Sequence, residues 1–283
     1  MIADAARVLS GKAGVLALMG PGVDPHMYRQ TRTDIAALAR ADLVLWHGLY
    51  LEAQMEAFFI DLARKTRVVA VAETLPKDQL AAHPGYADRY DPHVWMDPTL
   101  WVGVIDRVAE ALSEVLRNQA AEIAARAATY KIEIAALHSY SAEVLATVPD
   151  SARVLVTAHD AFGYFGRIYG FSVEGIQGIS TESEAGLARV GELVELLVAS
   201  RVPAVFVESS VSDRSVRALV EGAAVNGHTV AIGGQLFSDA MGPQGSYEGT
   251  WLGMIDHNVT LITNALGGKA PPGGRLGKLG AQA

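Results

Sequence analysis

Short apolar runs of strand character alternate with longer stretches of helical period along most of this chain, and that alternation leaves few architectures open to it. Strand-like runs fall at 15–19, 43–46, 68–71, 154–157, 173–176, 204–207 and 229–232, with helical segments such as 33–40, 184–200 and 212–226 between them. Strands alternating with helices imply parallel sheets with helices packed on both faces. The pattern is interrupted once. From residue 99 to 148 there is no strand signal, only two helical stretches broken near Arg117-Asn118. The second, 119–148, contains neither Gly nor Pro, and its apolar residues Ile123, Ala127, Tyr130, Ile134 and Leu137 recur every three or four positions. Roughly 30 residues at 1.5 Å each reach on the order of 45 Å. The expectation is an α/β fold of two βα lobes with mainly parallel sheets, joined by one long rigid helix. The N-terminal lobe takes 1–117, the linking helix 118–148 and the C-terminal lobe 149–266. The tail at 267–283 is rich in Gly, Pro and Lys without apolar periodicity, which reads as disorder.

Within that frame one tripeptide occurs twice, as Asp24-Pro25-His26 and Asp91-Pro92-His93, each followed by an apolar residue and an aromatic. Proline fixes its own φ and pushes the preceding residue out of the helical region, so each copy reads as a stiff extended loop. Such a loop holds an imidazole in a defined place. Two of them point to histidines that converge on one metal ion.

Composition narrows the chemistry further. The chain has 283 residues, half of them hydrophobic, enough for two lobes with a substantial core. A formal charge of −8 without a basic patch argues against a nucleic-acid or anionic-membrane partner. With no cysteine, any metal must sit on His, Asp or Glu. No apolar run approaches the roughly 20 residues needed to cross a bilayer, and the opening residues 1–7 lack both the basic and the apolar region of a signal peptide.

In doubly wound sheets ligands bind beyond the carboxyl ends of the strands. Four candidate metal ligands fall in that position: His26 after the 15–19 run, His93 after 68–71, His159 directly after 153–157, and Asp239 after 229–232. Two belong to each lobe, so a site built from them lies in the interlobe cleft. Three neutral imidazoles and one carboxylate suit zinc, and manganese accepts the same set. Each residue also has a plainer reading. Asp160 and Asp239 are competent helix caps, and Asp24 and Asp91 are expected to close Asx turns before their histidines. His47, His83, His138, His228 and His257 lack comparable context. Gly20-Pro21-Gly22 is too short for a phosphate loop, and Glu208-Ser209-Ser210 has no nucleophile elbow around it, so it reads as a strand end feeding a helix. The Gly233-Gly234 pair is expected to let backbone pass close to the cleft.

Four stretches, in order, resemble the ligand motifs of the metal-binding solute-binding proteins of ABC importers (the cluster A-I, or TroA-like, family). They are Met19-Gly20-Pro21-Gly22-Val23-Asp24-Pro25-His26, then Asp91-Pro92-His93-Val94-Trp95-Met96-Asp97. Thr157-Ala158-His159-Asp160-Ala161-Phe162-Gly163-Tyr164-Phe165 is the third, and Leu236-Phe237-Ser238-Asp239-Ala240-Met241-Gly242 the fourth. The resemblance implies one Zn²⁺ or Mn²⁺ per chain held by His26, His93, His159 and Asp239. It further implies a monomer, periplasmic or extracellular and membrane-anchored, that delivers the ion to a membrane permease. His159 resembles the more zinc-capable variant of the third position, whereas the stretch 77–90 lacks the His-rich loop of many zinc-uptake members and carries only His83. Family members begin with a signal peptide and a first strand. This chain opens within the helix that follows, at 2–9, so its N-terminal sheet is expected to lack a strand.

A capture protein is the leading expectation, and no enzymatic activity is expected. The different-class alternative is a zinc hydrolase with three His ligands, an open position for water and Asp239 or Glu208 as base. A third reading is an adhesin-like surface role.

Overall fold

A computed structural model describes residues 1–83 and 88–280. Three parallel strand pairs carry the α/β fold. β1 (Val44–Trp46) pairs with β2 (Val68–Ala70), β3 (Val154–His159) with β4 (Ser172–Gln177), and β5 (Ala204–Glu208) with β6 (Ala231–Leu236). A parallel pair needs a crossover rather than a hairpin. The three crossovers run through α3 (Glu56–Leu62), α6 (Gly163–Tyr169) and α8 (Arg214–Val225). α7 (Leu187–Ala199) connects β4 to β5, and β3 lies beside β5, which draws the four C-terminal strands together.

Helices fill the strand-free middle of the chain. α4 (Pro98–Val115) starts on Asp97, whose carboxylate accepts from the Thr99 and Leu100 amides, with Pro98 in the first helical position. A 3₁₀ turn at Arg117–Gln119 separates it from α5 (Ala120–Leu145), which runs 26 residues or about 39 Å. All five apolar residues of the α5 stripe are buried, as their spacing requires. They pack onto α4, α1 (Ile2–Ser10) and α9 (Trp251–Ala265), where Trp101 stacks on Trp251 at 5.7 Å. One apolar core thus runs from α1 through α4 and α5 to α9 and reaches Leu155, Phe206 and Leu236 on the C-terminal strands. A second core, including Val156, Leu193, Val205 and Leu219, fills the space between those strands and α7 and α8.

Four sequence expectations are corrected. Residues 15–19 form no strand: Leu16 is 71 % exposed and no ladder partner lies alongside among the described residues, so the segment runs as open loop. The last strand is displaced from 229–232 to Ala231–Leu236, with a register shift between Val205 and Val207 where Gly234 adopts a φ of 133°. Gly233 and Gly234 serve packing rather than the cleft, since a Cβ on Gly233 would lie 2.6 Å from the Phe206 ring and one on Gly234 2.7 Å from Leu261. The tail is packed over 267–280. Both Asp256 carboxylate oxygens accept from the Arg275 amide, Glu248 accepts from the Gly280 amide, and Leu279 is buried. Its glycines supply the positive φ values that let it turn back onto α9. Residues 281–283 of that tail, and 84–87 of the 77–90 stretch, lie outside the described residues.

Candidate metal centre

The two Asp-Pro-His loops are built alike. In the first, the His26 amide donates to Asp24 Oδ1 at 2.8 Å; in the second, the His93 amide donates to Asp91 Oδ1 at 2.9 Å. These are the expected Asx turns. Each turn, stiffened by its proline, aims an imidazole inward. His159 is the last residue of β3, where the pleat sends it to the carboxyl end of the strands. Asp239 follows the end of β6, in a loop clamped by Asn258, whose side chain accepts from the Phe237 amide and donates to the Phe237 carbonyl.

These four side chains, all buried, offer one ligand atom each within 4.8 Å of one another, the only such group among the described residues. His26 Nε2 lies 3.4 Å from His93 Nε2 and 3.9 Å from Asp239. Asp239 is 3.3 Å from His93 Nε2 and 3.1 Å from His159 Nε2. Close as they are, His159 Nε2 and both Asp239 oxygens have no aligned hydrogen-bond partner among the described residues. Buried polar atoms are seldom left so, because the desolvation is uncompensated.

Two rings are held from behind. Asp91 Oδ1 accepts from His93 Nδ1 at 2.6 Å. Glu208 grips His159 twice, Oε2 accepting from Nδ1 at 2.6 Å and Oε1 from the His159 amide at 2.8 Å. A carboxylate at Nδ1 keeps the proton there and leaves Nε2 as a donor to a cation. Further out, Trp95 stands edge-on to both His93 and His47 and donates its indole N–H to the Ser238 carbonyl at 3.0 Å, joining the His93 loop to the Asp239 loop. His47 Nε2 donates to the Pro92 carbonyl at 2.7 Å, and Tyr164 OH donates to the Asp91 carbonyl at 2.8 Å.

The electrostatics follow from this packing. Burial pushes His26 down to about 3, with Asp239 only partly offsetting it. For His93 burial pulls the same way, but Asp91 and Asp239 outweigh it and lift the imidazole to about 9. His159 is likewise raised well above its ordinary value, Glu208 and Asp239 overcoming burial. Burial would raise Asp239, yet the three imidazoles hold it well below the usual carboxylate range. Opposite charge thus favours the ionised form of Asp239 and the protonated forms of His93 and His159, while burial keeps His26 neutral.

The structure thus brings together all four candidates singled out in the sequence. The other histidines are engaged elsewhere: His138 with the Tyr169 hydroxyl, His228 with the Val202 carbonyl and His257 with the Gln235 carbonyl. Asp160 caps no helix, because α6 begins at Gly163. Glu208, weighed as a catalytic base, has both oxygens committed to His159. Its role was missed, although a carboxylate ending the strand beside β3 was the available signal.

Comparison with known proteins agrees along nearly the whole chain. The family model described as zinc-uptake complex component A, periplasmic (ZnuA), matches residues 1–265. The manganese-binding lipoprotein MntA of Bacillus subtilis is 48 % identical over 266 residues, covering 94 % of this chain and 87 % of that protein. The zinc-binding protein TroA of Treponema pallidum is 44 % identical over 267 residues, covering 94 % and 86 %. The solved structure of that periplasmic zinc-binding protein superposes with a TM-score of 0.91 over 94 % of this chain and 96 % of its own. Matched over residues 1–265, the chain belongs to the family described as zinc-uptake complex component A, periplasmic (ZnuA).

Proposed function

We propose that this protein captures one divalent transition metal ion, zinc or manganese, outside the cytoplasm and hands it to the permease of an ABC importer. His26, His93, His159 and Asp239 are the ligands in this reading. The observation that carries it is the set of orphaned donors: among the described residues His159 Nε2 and both Asp239 oxygens are buried without an aligned hydrogen-bond partner, and a cation satisfies all three at once. Spacing supports it. Metal–ligand bonds of 2.0–2.1 Å in a tetrahedron place neighbouring donors about 3.4 Å apart; here the His26–His93 contact and the three to Asp239 run from 3.1 to 3.9 Å, and all four donors lie within 4.8 Å of one another. Four protein ligands make a closed site, which suits capture rather than the open coordination position of a hydrolase. Transport also fits relatives whose names record manganese and zinc binding at similar identity.

The test is competitive Zn²⁺/Mn²⁺ titration of metal-stripped protein, with elemental analysis of the protein as purified. The expected result is one ion per chain, lost in His93→Ala and retained in His138→Ala. Equal effects of those two substitutions would overturn the ligand assignment.

A further inference from the structure

We propose that a hydrogen bond between Thr181 and Asp24 is a latch that holds His26 in its ligand-presenting position and sets the rate at which the ion leaves. The proposal deepens the metal-capture reading and rests on it. His93 and His159 are held by carboxylates at their rings, whereas His26 is placed through its backbone, by Asp24 Oδ1 accepting from its amide. The other oxygen of the same carboxylate, Asp24 Oδ2, accepts from Thr181 Oγ1 at 2.6 Å, a residue 157 positions later in the chain.

Two neighbouring contacts close the same seam. Gln54 donates to Glu182, the residue next to Thr181. Gly22, with a φ of 71°, approaches the Ser209 carbonyl so closely that a Cβ there would lie 3.3 Å away. The His26 loop is therefore pinned from the C-terminal part of the molecule as well as from its own side, where Leu18 and Tyr28 pack on the small cluster of Leu38, Val44, Met55 and Phe59.

The physical consequence is a coupling. His159 ends β3 and Asp239 lies in the loop after β6, so parting the His26 loop from this C-terminal side opens the site. Parting the loop from residue 181 breaks a hydrogen bond to an ionised carboxylate, roughly twice as strong as a neutral one. It also frees the carboxylate that shapes the turn before His26. Release and misplacement of His26 then occur together.

The test uses the full chain loaded with zinc, chased with excess EDTA in a stopped-flow instrument. Thr181→Val should release zinc about tenfold faster, the scale of one charge-assisted hydrogen bond. Its association rate should stay within about twofold of the unsubstituted chain, and Thr181→Ser should restore slow release. A merely structural loss would not divide on and off rates in this way, nor be rescued by serine. Release from Thr181→Val at the unsubstituted rate would overturn the latch. Amide exchange in metal-free protein separates the latch from the reading beneath it. The His26 amide should exchange faster in Thr181→Val and not in Thr181→Ser, and an unchanged rate overturns the latch whatever the metal data show. Failure of the unsubstituted chain to take up zinc or manganese sinks the capture reading instead, and with it the release role.

Discussion

Glu208 holds His159 at two points, its carboxylate reaching both the ring Nδ1 at 2.6 Å and the backbone amide at 2.8 Å. The residue that ends β5 thereby orients the side chain that ends β3, and the adjacency of the two strands is converted into the aim of one imidazole. Glu208→Gln should lower metal affinity by about 10- to 100-fold, the usual cost of losing a carboxylate behind a ligating histidine. Far-ultraviolet circular dichroism should be unchanged, because the amide side chain fills the same volume. An affinity equal to that of the unsubstituted protein would remove Glu208 from the site.

Metal binding should release protons. In the metal-free centre His93 is raised to about 9 and His159 is raised well above its ordinary value, so at neutral pH both carry a proton that a metal at Nε2 must displace. His26, lowered to about 3, contributes none. Affinity should therefore fall by up to about two orders of magnitude per pH unit below neutrality. Calorimetry in two buffers of different ionisation enthalpy counts the protons. The sign for the metal-free fold is opposite. A raised histidine stabilises fully below its unfolded value near 6.5, and that contribution fades as pH rises through about 9.

Trp95→Phe should weaken both fold and site. The indole N–H reaches the Ser238 carbonyl at 3.0 Å while its own carbonyl accepts from the Trp251 indole at 3.2 Å. Loss of the N–H strands a buried carbonyl beside Asp239, for about 1–3 kcal/mol by urea denaturation. Metal affinity should drop as well, because that bond ties the His93 loop to the Asp239 loop.

Two helical glycines should respond oppositely to alanine. A Cβ on Gly253 in α9 falls onto the Tyr247 carbonyl, backbone that cannot step aside, so Gly253→Ala should cost about 3 kcal/mol or more. Gly191 in α7 has nothing beyond its own helix within 4 Å of its would-be Cβ among the described residues. Gly191→Ala should stabilise by about 0.4–1 kcal/mol, through reduced freedom of the unfolded chain. Thermal denaturation of the pair compares the two directly.

Much of the site was legible because its determinants are local. An Asp-Pro-His tripeptide carries its own turn, its own stiffening and its own imidazole, so His26 and His93 stand out in the sequence alone. The α5 stripe was legible for the same reason, since a period of three or four residues marks a helix face whatever lies against it. Residues 15–19 misled because strand composition says nothing about whether a partner is present. The tail misled because glycine-rich composition does not reveal that Asp256 and Glu248 await its amides.

The sequence by itself therefore determined the α/β alternation, the long central helix and the four candidate donor residues, all properties of short windows governed by backbone sterics and side-chain chemistry. Only the tertiary structure decided which carboxylates stand behind which imidazoles, that Asp24 faces Thr181 across 157 residues, and that Trp95 bridges to Ser238. Those relationships depend on how strands and loops distant in the chain are packed by a shared apolar core, and packing of that kind leaves no periodic trace in the sequence.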